Sequence, residues 1–142
     1  NRNPFTLSSG EMRKVAIASI LAFNPKVVIL DEPTIGLDNQ SKKNLIKIIK
    51  LLKNRYKKTV IIVSNDTDLL LQIADHVVLL DKGKIIYDNN KYEVFKQDLE
   101  KYGLKRPKII EFEQMVLEKK NLKIGYRDDI NDLMKDVYRY VK

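Results

Sequence analysis

Residues 27–38, VVILDEPTIGLD, constrain the fold of this chain more than any other stretch. A short run of β-branched and apolar residues meets two consecutive acids and then a proline. Apolar runs of this length, bounded by turn residues, mark strands covered on both faces in a parallel sheet. Proline cannot donate into a ladder, so the strand ends at Asp31-Glu32-Pro33. Gly36, Leu37 and Asp38 then make a turn, and Asp38 or Ser41 is suited to cap the helix that follows. Such a strand delivers Asp31 and Glu32 to the carboxyl edge of a sheet, where ligands bind in open α/β folds.

The flanking segments extend that pattern. Ser8 is a good helix N-cap and Glu11 stands at capping-box spacing from it, so a helix starts here and runs to Asn24-Pro25. The first N–H groups of such a helix are unpaired and carry the positive end of its dipole, which suits an anion. An ordinary capped helix has the same four residues. Leu45, Ile48, Ile49 and Leu52 follow one helix face, and the lysines of residues 42–53 form a solvated opposite side. Residues 59–64, TVIIVS, read as a second strand, 68–74 as a short helix and 76–80, HVVLL, as a third strand. Asp81-Lys82-Gly83-Lys84 is a hairpin turn leading into an edge strand over 85–87. This alternation predicts an α/β fold with a mostly parallel sheet, right-handed crossovers and flanking helices. Beyond residue 90 the pattern becomes helical, with helices expected over 91–102, 107–121 and 128–140, so the chain divides into residues 1–90 and a helical extension, 91–142.

Composition narrows the classes that remain. With 142 residues, 44% of them hydrophobic and 32% charged, the chain holds one domain with a real core and at most a small extension. The net charge of +8 is spread: residues 1–95 hold 15 Lys/Arg against 10 Asp/Glu, and 96–142 hold 12 against 9. Neither part is a basic tail, and no nucleic-acid partner is expected. Cysteine is absent, which fits a reducing compartment, and no apolar run approaches the roughly 20 residues of a membrane span. The chain opens inside a motif, at Asn1-Arg2-Asn3-Pro4, which suggests a piece of something longer.

Three ordered motifs carry a specific resemblance: LSSGEMRKVAIA at residues 7–18, the strand ending ILDEP with TIGLD behind it, and TVIIVSND at 59–66. Together they resemble the nucleotide-binding domain of ABC-type ATPases over residues 3–87. Residues 7–11 match the LSGGQ signature, 27–32 the Walker B strand, 36–38 the D-loop and 64–66 the switch region. The lead-in and helix PFTLSSGEMRKVAIA, residues 4–18, and the helical tail with GLKRPKIIEFEQMVLEKK look most like ATPase subunits of energy-coupling-factor (ECF) transporters, which import vitamins and metal ions.

The resemblance implies ATP and Mg²⁺ as cofactors and a role for each matching residue. Asp31 would hold Mg²⁺ through water, and Glu32 would orient and deprotonate the attacking water. Ser8 and the N–H of Gly10 would touch the γ-phosphate of ATP on an opposite subunit, Ser9 and Glu11 belong with them to the implied ATP-binding set, and Asp38, also in that set, would carry signals across the interface. Asn65 stands where the family usually has histidine; an amide can donate to phosphate but cannot become an imidazolium. Ser9 and Glu11 also depart from the family's glycine and glutamine. No G-x-x-x-x-G-K-[ST] occurs, so the phosphate loop is absent from these 142 residues. The implied partners are a second ABC ATPase subunit and integral membrane transporter subunits, with the protein at the cytoplasmic face of the membrane. A soluble ABC-type ATPase acting on ribosome or DNA, and a non-catalytic dimerisation fragment, are the alternatives. His76, the one histidine, is expected to be structural.

Overall fold

The computed structural model describes residues 3, 6–125 and 127–140. The expected lead-in at Pro4 and Phe5 lies outside them, as do Asn1 and Arg2. The chain divides into two compact units, Asn1–Ser64 and Asn65–Lys142. That division follows packing, whereas the one expected at residue 90 follows composition.

In the first unit, helix α1 (Ser9–Ala22) begins at the expected capping box and ends at Phe23, where Asn24 turns into the left-handed region at φ 49°. Strand β1 (Val27–Asp31) follows, then α2 (Asn39–Asn54) and β2 (Thr59–Val63). The two strands pair in parallel, with Val28 opposite Val60 and Asp31 opposite Val63. Leu45, Ile49 and Leu52 of α2 turn inward, as their spacing predicts, and join Val28, Leu30 and Ile17 as the buried apolar residues of this unit.

The covering of β1 differs from expectation. Val28 and Leu30 are buried, but Ile29 is 66% exposed and Val27 is open as well. On β2, Ile61 and Val63 are exposed too, and Ile61 lies directly opposite Ile29. Among the described residues of this unit, one face of the sheet is buried and the other is exposed.

In the second unit, α3 (Thr67–Ile73) leads to the antiparallel pair β3 (His76–Asp81) and β4 (Lys84–Asn90). Lys82 and Gly83 both have positive φ, 47° and 73°, as a two-residue type I′ hairpin demands. The expected single, mostly parallel sheet is thus two two-stranded sheets among the described residues, one parallel and one antiparallel. The tight turn at Lys82-Gly83 explains the second: it pairs β3 with β4 locally, and closing a short loop costs little chain entropy.

Leu71, Val77, Leu79, Val94, Phe95, Leu99 and Ile110 form the core of this unit, so the strands and the helical tail share one interior. The helix expected over 91–102 stops early, as α4 (Lys91–Phe95), with a 3₁₀ turn at Glu100–Tyr102. Gln97 shows why: its side-chain amide donates to the carbonyl of Glu93, the acceptor an α-helical N–H at 97 would use, while its backbone N–H goes to Val94. Gly103, at φ 74°, closes the turn. Helices α5 (Lys108–Lys120) and α6 (Ile130–Tyr140) fall where expected. Among the described residues no helix is long and apolar enough to cross a membrane.

Candidate functional site

The acidic pair emerges where β1 stops. Asp31 is the last strand residue and is exposed to solvent. Glu32 then reverses the chain with φ 40°, a left-handed conformation that costs a side chain with a Cβ about 1–2 kcal/mol. Three elements hold it there. Its N–H donates to the Val63 carbonyl at 2.8 Å, continuing the ladder one residue past the strand. Its own carbonyl accepts from Arg13 Nη1 of α1 at 3.0 Å and from the Ile35 N–H at 3.3 Å. Its carboxylate Oε2 accepts the Ser64 hydroxyl at 3.0 Å. Strained backbone persists where its surroundings over-determine it, and such positions cluster at functional sites.

At the start of α1 the capping box is complete. The Ser8 N–H donates to Glu11 Oε2 at 2.9 Å, and the Glu11 N–H donates to Ser8 Oγ at 3.3 Å. Glu11 therefore places its negative charge at the helix terminus, where the dipole favours it. Ser8 and Ser9 are exposed. Gly10 faces the first turn of α2, and a Cβ on it would lie 2.7 Å from Ser41 Oγ. Asp38 caps α2, accepting the Ser41 N–H at 2.7 Å and its hydroxyl at 3.2 Å. That backbone hydrogen bond holds the Asp38 carboxyl below the usual carboxylate range, and the charge of Lys14 adds to the effect.

The residues singled out from sequence therefore form two local groups in the first unit. Gly10 meets the Asp38–Ser41 cap, and Glu32 sits between α1 and the end of β2. Asn65, exposed, opens the second unit directly after Ser64. His76 pairs with Asp88 on the surface of the β3–β4 hairpin. Arg13, the Gly10–Ser41 approach and the Ser64–Glu32 contact escaped the sequence reading. Arg13 left one signal, since Gly10, Arg13 and Ile17 recur at i, i+3 and i+7 and share the inward face of α1.

Known proteins resemble this chain in sequence and in fold. A family model described as ABC transporter matches residues 1–35. The energy-coupling factor transporter ATP-binding protein EcfA2 of Staphylococcus epidermidis is 41% identical over 122 residues, 84% of this chain and 43% of that protein. EcfA2 of Clostridium perfringens is 43% identical over 111 residues, covering 77% and 39%. Among solved structures, cbiO1 from Clostridium perfringens, part of the ABC transporter complex cbiONQ, aligns with a TM-score of 0.65 at 30% identity, covering 85% of this chain and 43% of that one. A dimeric bacterial ABC transporter cassette aligns with a TM-score of 0.57 at 30% identity over 64% of this chain and 39% of its own.

The chain belongs to the ABC transporter ATP-binding family and has part of that family's α/β ATPase fold. Within the family it is similar to the ATP-binding proteins of ECF transporters. It spans about half the length of the curated relatives it matches.

Proposed function

We propose that this chain is part of an ATP-hydrolysing subunit that powers a membrane importer of the ECF type, for vitamin or metal-ion uptake, from the cytoplasmic face of the membrane. The observation that carries the proposal is Glu32, held in a strained turn at the end of β1 with its carboxylate bonded to Ser64. Identity to ECF ATP-binding proteins across most of the chain supports the importer class.

In this reading residues 1–90 are the ATPase portion and 91–142 a helical extension. Glu32 orients and deprotonates the attacking water, and Asn65 donates to the γ-phosphate from the switch position. Ser8, Ser9, Gly10 and Glu11 meet ATP held by a paired subunit, identical or paralogous, and Asp38 lies at that dimer interface. Asp31 fits Mg²⁺: it is an exposed hard oxygen donor, and Mg²⁺ is usually held by one or two carboxylates together with waters and substrate phosphates. The ion would neutralise charge on the phosphates.

The phosphate loop is supplied by polypeptide outside these 142 residues. The 142 residues alone are accordingly expected to show no ATP binding at millimolar nucleotide and no hydrolysis. Because Asn65 cannot become an imidazolium, this subunit's own site hydrolyses slowly and the paired subunit carries most turnover. The test is ATPase activity of the assembled transporter carrying Asn65→His or Glu32→Gln. A faster rate for the first and residual turnover in the second are expected; a flat rate for the first with abolition by the second would sink the division of labour between sites.

A further inference from the structure

We propose that Arg13 is a positioning residue for Glu32, linking helix α1 to the carboxylate at the end of β1. The inference rests on the reading of Glu32 as the base for water. Arg13 Nη1 reaches across 19 residues of chain to the Glu32 carbonyl at 3.0 Å, in a partly buried contact. Its target is the backbone of a residue at φ 40°, where small rotations of φ and ψ swing the side chain through a wide arc.

The N–H bond to Val63 anchors the peptide before Glu32, and the bond from Ile35, at 3.3 Å, lies within the turn itself and moves with it. Ser64 holds one carboxylate oxygen but is a single donor on a short side chain. Arg13 supplies the anchor for the peptide after Glu32, and it comes from a different element. It stands one turn beyond Gly10 on the same face of α1, so a shift of that helix along its axis reaches the Glu32 peptide through the guanidinium. A charged donor makes this bond stronger than a neutral one.

The consequence is specific to turnover. Loss of Arg13 keeps the Glu32 side chain but removes the bond that ties its peptide to α1, and misplacement of a catalytic group by about 1 Å costs up to roughly a hundredfold in rate. In the assembled ATPase, Arg13→Ala is expected to remove most of the share of kcat that Glu32→Gln removes, roughly tenfold to a hundredfold at this subunit's own site, with the KM for ATP changed by less than about twofold. Arg13→Lys, which keeps a cationic donor, should recover part of that loss. In a Glu32→Gln background, Arg13→Ala should lower the residual rate no further, because the group it positions is already gone.

An unchanged kcat in Arg13→Ala, alongside a lowered rate in Glu32→Gln, overturns the role of Arg13 and leaves that of Glu32 standing. Full turnover in Glu32→Gln instead overturns the reading of Glu32 itself. Multiplicative losses in the double variant also overturn the proposal, since they mean that Arg13 acts elsewhere. Should Arg13→Ala fail to fold, Arg13→Gln and Arg13→Lys carry the same comparison. Equal kcat in those two and the parent protein counts against the proposal.

Discussion

Gly10 of α1 and Ser41 of α2 are packed so closely that a β-carbon on the glycine would meet the serine hydroxyl oxygen at 2.7 Å. The hydroxyl cannot simply swing away, because it donates to Asp38 at the α2 cap. Overpacking costs about 1–3 kcal/mol, more than the 0.5–1 kcal/mol that alanine gains over glycine in a helix. Gly10→Ala should therefore lower the melting temperature. With Ser41→Ala in place the clash is gone, and the same substitution should become neutral or stabilising. Thermal denaturation of the two single variants and the double variant checks this change of sign.

The Asp38 cap makes stability depend on pH in the acid range. Its carboxyl titrates below the ordinary value in the folded chain, chiefly because it accepts the Ser41 N–H. A depressed folded pKa gives stability that is present above the unfolded pKa and lost as pH falls through the folded one. Asp38→Asn, which keeps an acceptor without the charge, should flatten this acid limb in melting curves and leave the neutral-pH value nearly unchanged.

Glu113 has the opposite sign. It is buried on α5, its Oε1 accepts the Arg127 N–H at 3.2 Å, and burial pushes its pKa up to about 7. A raised folded pKa means that the protonated form suits the fold, so stability is greatest below the unfolded pKa and falls as pH rises through about 7. Asp128, whose carboxylate pairs with Lys91, adds to the upward push on Glu113, and Arg127 and Lys96 oppose it. Glu113→Gln should stabilise the protein at about pH 8 and change little at about pH 5. Equal effects at both pH values would count against the assignment.

His76 is a control. Its pair with Asp88 is more than half exposed on both sides, and exposed ion pairs contribute about 0–1 kcal/mol. His76→Ala should shift stability by less than about 0.5 kcal/mol and leave ATPase turnover of the assembled protein unaltered.

What the sequence reveals here is mostly local. Both ends of α1, the Asp38 cap and the Lys82-Gly83 hairpin were legible because each is set by side chains within a few residues of the backbone they satisfy. Asp31 and Glu32 stand out because a proline ends the strand behind them. The Arg13 and Ser64 contacts with Glu32 were not legible: they join residues 19 and 32 apart, and only the pairing of β1 with β2 brings Ser64 alongside. The early stop of α4 turned on a single amide, Gln97, whose bond to a carbonyl leaves no periodic trace.

The backbone at position 32 has a preference of its own. Left-handed φ is what glycine or asparagine adopts with least strain, yet the chain places glutamate there. Under the proposed chemistry, heat resistance and turnover make opposite demands on one residue. Glu32→Gly would relax the turn and silence this subunit's own site, so a population selected only for survival on heating would drift toward a sturdier, less active protein. Directed evolution of this chain would have to hold position 32 constant by design.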